Sequence, residues 1–306
     1  MTTEIFAGRA CAQQRLRALA GVIETLKQRP QILTFYVIED PGSVLYTSKK
    51  KSKAKEVGID FIGYKFSFGD NPIKITELIK QQIALHPQAG VMIQKPTRQH
   101  YHNFFAQHHR VPPLTFAQWW SHLLACIPPE RDLDGLTPQT QERLAQGRAV
   151  VCLPATVKAV LLALEQFDLS TKKILIIGIS DLLGRPLAAY WRAKGLDVTL
   201  VGHQGWARLL AQKGHARDFG VIVSATGQPG IITGDLITDG VILVDVGEPK
   251  GDIDQESVRG KAAFLTPVPG GIGPMTIACL LENALTLSQL HGELEFITRS
   301  EFHRNG

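Results

Sequence analysis

The feature that most constrains this chain is the run Lys173–Ile177 (KILII) with the turn that follows it, Gly178-Ile179-Ser180-x-x-x-Gly184-x-Pro186. A short, nearly continuous apolar run bounded by glycine predicts a strand buried on both faces. Pro186 is tolerated only in a helix's first turn, so a helix is expected to start near Gly184. Small residues in such a turn let backbone amides approach a pyrophosphate at the helix N-terminus, and Ser180 adds a donor. Close packing of strand on helix uses the same glycines, so spacing alone leaves both readings open.

The surrounding runs extend the pattern. Asp197–Val201, Gly220–Ser224 and Val241–Asp245 read as further strands, and a last helix is expected over about Pro274–Leu290. This is the layout of a doubly wound dinucleotide-binding half. In the first half, residues 8–28 have a helical pattern and Ile32–Ile38 reads as a buried strand. Ser43–Val57 predicts a helix ended by Gly58, Phe61–Phe66 a short strand, and Asn71-Pro72 the start of a helix through Leu85. Gly90–Gln94 is another short strand, and Thr115–Cys126 is helical. Residues 95–113, with four histidines and a Pro112-Pro113 end, break the rhythm and read as a long loop or insertion. Strands alternating with helices predict an α/β fold with mostly parallel sheets.

At 306 residues the chain exceeds one typical core and suggests two domains. Charged residues make up 20% and no stretch of 18 apolar residues occurs, which argues against a membrane span. The N-terminus lacks the apolar core of a secretory signal. Cys11, Cys126, Cys152 and Cys279 are dispersed, which argues against a disulfide framework or zinc site and for a reducing cytoplasm. The net charge of +5 is not gathered in a basic tail, so it suits polyanionic small substrates as well as nucleic acid. His100, His102, His108 and His109 are weak evidence for a metal without a fixed scaffold, and no metal is expected.

Ser43-x-x-Tyr46-x-x-x-Lys50 places a ring and an amine on one helical face. The pair suits a flat, partly anionic ligand. Lys50 stands among Lys49, Lys51, Lys53 and Lys55. Neighbouring charges and burial would both bring its pKa down from about 10.4 toward the range of a catalytic base. A solvated basic face, or a patch for phosphate or RNA, accounts for the same run. Pro267-Val268-Pro269-Gly270-Gly271-Ile272-Gly273-Pro274 fixes an unusual backbone path before a helix, as ligand-facing loops do.

Together these segments resemble the bifunctional methylenetetrahydrofolate dehydrogenase/methenyltetrahydrofolate cyclohydrolase family, in the same order over most of the chain. The Tyr46/Lys50 helix, Gly90–Gln94, Pro128–Gly135, the Gly178 turn, Ala225–Pro229, Val244–Gly247 and Thr266–Thr276 carry the likeness. The resemblance implies an N-terminal α/β folate-catalytic domain (1–150, completed by a returning helix over 274–306) and a Rossmann-like dinucleotide domain (154–273), with a cleft between them. It implies Lys50 as the central catalytic residue, Gln94 as the partner that sets its protonation, Tyr46 against the pterin–aminobenzoate, and Asp134 on the pterin edge. Ile93, Lys95 and the loop Pro269, Gly270, Gly271, Ile272 and Gly273 would line the folate site. Gly178, Ile179, Ser180, Gly184, His203 and Glu248 would meet the cofactor, NADP with NAD as the alternative. Tetrahydrofolate derivatives would be its ligands, with no nucleic acid or membrane partner. A cytoplasmic homodimer serving one-carbon metabolism and purine biosynthesis is implied as well.

Several positions depart from the family pattern. Gln94-Lys95-Pro96-Thr97-Arg98 is more basic than the family's Q-L-P-L-P, and an insertion over about 98–113 follows it. Gly247-Glu248-Pro249 puts a carboxylate where the family has an apolar cofactor contact, and Arg208 joins His203 as a candidate for a 2′-phosphate. A cyclohydrolase with an impaired dehydrogenase half, and a non-catalytic folate- or nucleotide-binding relative, are the alternatives. Asp252 and Asp254 are expected to be structural.

Overall fold

A computed structural model describes residues 2–211 and 215–302, the side chains of 215 and 291–302 excepted. β1 (Glu4–Ile5) leads into α1 (Gly8–Glu24). β2 (Gln31–Val37), α2 (Pro41–Glu56), β3 (Asp60–Phe66), α3 (Pro72–Leu85) and β4 (Gly90–Ile93) then alternate. Four helices follow: α4 (Arg98–Gln107), α5 (Phe116–Leu124), α6 (Pro138–Ala145) and α7 (Ala155–Ala163). The second alternation comprises β5 (Ile174–Ile177), α8 (Gly184–Ala193), β6 (Val198–Val201), α9 (His203–Ala211), β7 (Val221–Ser224), β8 (Ile242–Asp245), α10 (Gln255–Val258) and β9 (Phe264–Thr266). The long α11 (Ile272–Phe302) closes the chain. Residues 303–306 of the expected returning helix lie outside the described residues. No helix among the described residues is long and apolar enough to cross a membrane.

The chain forms two compact units. The first takes Leu16–Thr140 and the chain from Leu280 onward. The second takes the N-terminal segment through Arg15 and Gln141–Cys279. The N-terminal segment, residues 141–150 and residues 274–279 of the returning helix thus depart from the boundaries expected from sequence. β1 explains the first departure, because it adds to the edge of the second unit's sheet, pairing Glu4 with Phe264 and Ile5 with Leu265.

In the first unit a parallel sheet of order β3-β2-β4 holds the site. Asp40 caps α2, accepting from Ser43 N at 2.8 Å, so the helix starts at Pro41 and not at Ser43. Asn71 caps α3 by accepting from Ile73 N at 2.9 Å, as its sequence predicts. The segment expected to be loop contains α4. Thr97 caps it, and Tyr101 and Phe105 are buried. Tyr101 packs edge-on against Phe68 (5.3 Å between ring centroids) and tilted against Trp119 of α5 (5.4 Å). This aromatic packing supplies the stability that the local sequence, rich in histidine, does not.

The second unit holds a parallel sheet of order β1-β9-β8-β7-β5-β6, with the core under Leu175, Ile177, Ile222 and Leu243. The chain leaves β5 toward β6 on one side and returns to β7 on the other, so the strand order reverses between β5 and β7. In doubly wound sheets such a reversal opens a crevice at the C-terminal strand ends, where ligands bind.

Candidate active site

Lys50 lies on the buried stripe of α2 with Ser43, Thr47 and Ala54. Its side chain reaches the end of β4, where Nζ donates to Gln94 Oε1 at 2.9 Å and stands 4.0 Å from Met92 Sδ. Asp134 Oδ2 is 3.9 Å away. Burial holds the Lys50 pKa below its ordinary value, and the negative charge of Asp134 opposes part of that effect. Sequence suggested that neighbouring ammonium groups share in the depression. In the structure Lys49, Lys51 and Lys55 are exposed, and Lys53 pairs with Glu56 at 2.6 Å. Burial therefore singles Lys50 out of an otherwise solvated run. Half-buried Tyr46, one turn earlier, has Lys49 Nζ 5.1 Å from its ring centroid.

The other residues are fixed through their backbones. Ile93 is buried at the end of β4, and Gln94 N donates to Phe35 O of β2 at 2.8 Å. Lys95 Nζ sits 5.4 Å from the centre of the Trp120 ring, so α5 engages the added positive charge. Leu133, next to Asp134, is held from both sides. Its N–H donates to Val91 O at 3.0 Å, and its carbonyl accepts from Asn283 Nδ2 of α11 at 3.1 Å. Buried Arg131 donates to the carbonyls of Ile83 (2.9 Å), Ala89 (2.8 Å) and His86, tying this segment to the end of α3. Asp40, Met92 and Asn283 were not identified from sequence. The Asp40-Pro41 pair ahead of Ser43 is the signal that could have revealed the first, since both residues favour a helix start.

In the second unit the Gly178 turn closes on itself. Gly178 has φ 119°, and a Cβ there would stand 2.5 Å from Ala225 O; a Cβ on Gly184 would stand 1.7 Å from Gly178 O. Only glycine permits both approaches. Ser180 Oγ accepts from Leu183 N at 3.3 Å, and Ile179 is 48% exposed. Exposed His203 starts α9, with Nδ1 3.4 Å from Gln228 Nε2. Glu248, also exposed, follows β8, and a Cβ on Gly273 would stand 3.1 Å from its Oε1. These residues gather at the C-terminal ends of β5, β6, β7 and β8, the side on which the strand-order reversal opens its crevice. Tight glycine turns at such a reversal suit the close approach of a pyrophosphate.

Two buried carboxylates brace these loops. Asp252 accepts from Ser224 Oγ (2.8 Å), Thr226 N (2.6 Å) and Thr226 Oγ1 (2.9 Å). Asp245 accepts from Gly247 N, Asp252 N and Ile253 N at 2.9–3.0 Å. Burial pushes the Asp245 pKa up to about 6; these bonds oppose the rise, and the nearby Asp252 adds to it. Asp254 caps α10. The segment Pro269–Gly273 lies in this second unit at the start of α11. A Cβ on Gly271 would stand 2.6 Å from Pro267 O, so the loop's closure on itself accounts for part of its glycine content. The four histidines fall on or just after α4. His100 faces Asp40, His102 accepts from Arg98, and His108 contacts the Phe104 carbonyl.

Fold and site together define a two-unit α/β protein that has a buried lysine of lowered pKa in one unit and, in the other, a Rossmann-like parallel sheet with a tight glycine turn at its strand-order reversal. Residues 6–108 match the catalytic domain of tetrahydrofolate dehydrogenase/cyclohydrolase, and residues 151–291 match that family's NAD(P)-binding domain. The bifunctional protein FolD of Lactobacillus delbrueckii subsp. bulgaricus is 30% identical over 94% of this chain and 97% of its own length. The FolD of Lactobacillus gasseri is also 30% identical, over 94% and 98%. Among solved structures, the bifunctional FolD of Campylobacter jejuni superimposes with TM-score 0.81 at 27% identity, covering 94% of this chain and 99% of that one. The Trypanosoma brucei FolD, complexed with NADP and an inhibitor, gives TM-score 0.82 at 25% identity, covering 95% and 99%. The chain belongs to the tetrahydrofolate dehydrogenase/cyclohydrolase family.

Proposed function

We propose that this chain oxidises 5,10-methylenetetrahydrofolate to the methenyl form and hydrolyses that form to 10-formyltetrahydrofolate, with Lys50 as the base of the hydrolytic step. The observation that carries this reading is the buried Lys50 Nζ, 2.9 Å from Gln94 Oε1 and 3.9 Å from Asp134 Oδ2, with a depressed pKa. A lysine so placed is available as a neutral amine nearer neutral pH than an exposed one. Water adds to the bridging carbon of the methenyl cation, and Lys50 takes one of its protons. The C–N5 bond then breaks as the carbonyl forms, and the Lys50 ammonium returns its proton to N5. The hydroxyl proton leaves to solvent, so the step releases one proton net. Gln94 holds the amine in place through its carbonyl oxygen. Asp134 offers a carboxylate to the polar edge of the pterin, and Tyr46 a face to its rings. Ile93, Lys95 and the Pro269–Gly273 loop complete the assignment of folate contacts, which rests on the family resemblance.

Gly178, Ser180 and Gly184 would hold the pyrophosphate of a nicotinamide dinucleotide. Such a dinucleotide supplies the hydride acceptor for the oxidation. His203 would favour NADP, and NAD is the alternative. The resemblance also supports a cytoplasmic homodimer feeding one-carbon units to purine biosynthesis, and four cysteines without a disulfide among the described residues suit a reducing compartment. A spectrophotometric assay with 5,10-methylenetetrahydrofolate and either nucleotide, reading reduced nicotinamide and methenyl-folate separately, tests the proposal. Wild type should reduce one nucleotide and then consume the methenyl form, while Lys50→Ala should leave that form standing. Oxidation and hydrolysis both at background would refute it. Glu248 beside Gly273 favours one second reading, a cyclohydrolase with a weakened dehydrogenase. Hydrolysis of supplied methenyl-folate without reduction of either nucleotide would identify it.

A further inference from the structure

Asp40 is fully buried, and its two carboxylate oxygens serve different segments. Oδ1 accepts from Ser43 N at 2.8 Å and caps α2. Oδ2 accepts from Thr97 N at 2.6 Å and stands 3.3 Å from His100 Nδ1. A cap needs one acceptor, and serine or asparagine supplies it as well as aspartate does. Capping alone therefore does not account for a buried carboxylate here; its second oxygen acts as a strap on the segment that begins α4.

That segment starts at Gln94. Its near end is pinned where Gln94 N donates to Phe35 O at 2.8 Å, and its far end where Thr97 N meets Asp40 at 2.6 Å. Pro96, between them, has its φ fixed by its ring. Lys50, further along the helix that Asp40 caps, reaches across to Gln94 Oε1 at 2.9 Å. The path is closed: Asp40, α2, Lys50, Gln94, Thr97 and back to Asp40. Charge-assisted bonds to backbone amides are about twice as strong as neutral ones, so this closure is stiff.

We propose that Asp40 is a positioning residue for the hydrolytic step. By holding Thr97 it keeps the Gln94 carboxamide against Lys50 Nζ, and it couples the inserted α4 segment to that lysine. The inference rests on the reading of Lys50 as the hydrolytic base. Displacement of Gln94 leaves the buried amine unoriented, and misplacement by about 1 Å in an active site costs on the order of 10²-fold in rate.

Asp40→Asn is the discriminating variant. Asparagine still caps α2 but turns an amide donor toward the Thr97 N–H, which breaks the strap, and with it the contact to His100, while keeping the cap. Hydrogen exchange at the Thr97 amide should accelerate at least about tenfold, with the thermal midpoint close to wild type. The kcat for methenyl-folate hydrolysis should fall about tenfold or more with KM within about threefold, the mark of lost orientation. In a double-mutant cycle, Asp40→Asn should cost less than about twofold once Gln94→Ala is present, because the two act as a unit. Additive losses, or an unchanged kcat with a fast-exchanging Thr97 amide, overturn the proposal. Thr97→Pro, which removes the N–H at a φ of −76° that proline accepts and with it the hydroxyl that caps α4, replaces Asp40→Asn in the kinetic assay and the double-mutant cycle if that variant fails to fold. If wild type cannot hydrolyse methenyl-folate, the functional reading falls by itself. Thr97 exchange then decides the Asp40 link, upholding it if Asp40→Asn accelerates exchange and overturning it if not.

Discussion

Replacing Gly184 with alanine should separate the two reactions. A Cβ at Gly184 would stand 1.7 Å from Gly178 O and 2.8 Å from its carbonyl carbon, whereas Cβ atoms essentially never approach within 3.0 Å. The turn must therefore open by about 1.3 Å, the difference between those distances. Both contacts are with backbone, so no side-chain rotation relieves them, and the Gly178 and Ser180 amides move with the displaced carbonyl. Misplacement of this size costs on the order of 10²-fold, or about 3 kcal/mol, in any step that depends on those amides. Overpacking adds about 1–3 kcal/mol of destabilisation in the second unit. Lys50, Gln94 and Asp134 lie in the first unit. The expected outcome is nucleotide reduction lowered about 10²-fold in kcat/KM, with hydrolysis of supplied methenyl-folate within about threefold of wild type. Gly195→Ala is the control. Nothing lies within 4 Å of its Cβ, and only its φ of 78° is strained, so it tests for a general cost of alanine in this unit. Wild-type reduction in a folded Gly184→Ala protein would refute the assignment of this turn to the dinucleotide. An equal loss in both variants would refute its local cause.

Three further outcomes follow from the same geometry. The Asp245 carboxyl, pushed up from 3.8 to about 6, binds its proton more tightly in the folded than in the unfolded chain. Its stabilisation is present in full below pH 3.8 and is lost as pH rises through 6. That interval corresponds to about 3 kcal/mol, so urea unfolding from pH 3.5 to 7.5 should show Asp245→Asn gaining about that much on wild type; parallel curves would exclude a raised pKa. Arg131→Ala removes a donor from three carbonyls near the end of α3, of which that of His86 keeps the Ala89 N–H, and should cost about 3 kcal/mol by denaturant titration, with Arg131→Lys recovering only part because its amine lacks the guanidinium fork. Gly21→Ala, exposed on α1 with nothing within 4 Å of the new Cβ, should raise stability by about 0.5–1 kcal/mol in the same assay; a loss would mean α1 is not helical there.

How far the sequence could be read depended on whether local or distant contacts fix each feature. KILII, GVIVS and VILVD are apolar runs closed by turn residues, and they became β5, β7 and β8 because burial on both faces is written in their own composition. Asn71-Pro72 was legible for the same reason, since a cap acts within three residues. α4 was not, because its helical state rests on Tyr101 packing against Phe68 and Trp119, partners that only the folded chain brings together. β1 is too short to carry a periodic signal, and its place is set by β9, some 260 residues away. The site divides along the same line. Tyr46 and Lys50 could be paired from helical spacing, but spacing could not say which of five clustered lysines would be buried; the contacts of Lys50 with Met92, Gln94 and Asp134, from other segments, decide it. Asp40 was the hardest to read. Its residue type signals a cap, and nothing local shows that its second oxygen would hold Thr97, 57 residues further on. A carboxylate chosen for two distant duties is indistinguishable in sequence from one chosen for the nearer duty alone. On the proposed role of Asp40, the segment that begins α4 acts on the lysine through a residue whose local sequence advertises only the start of a helix.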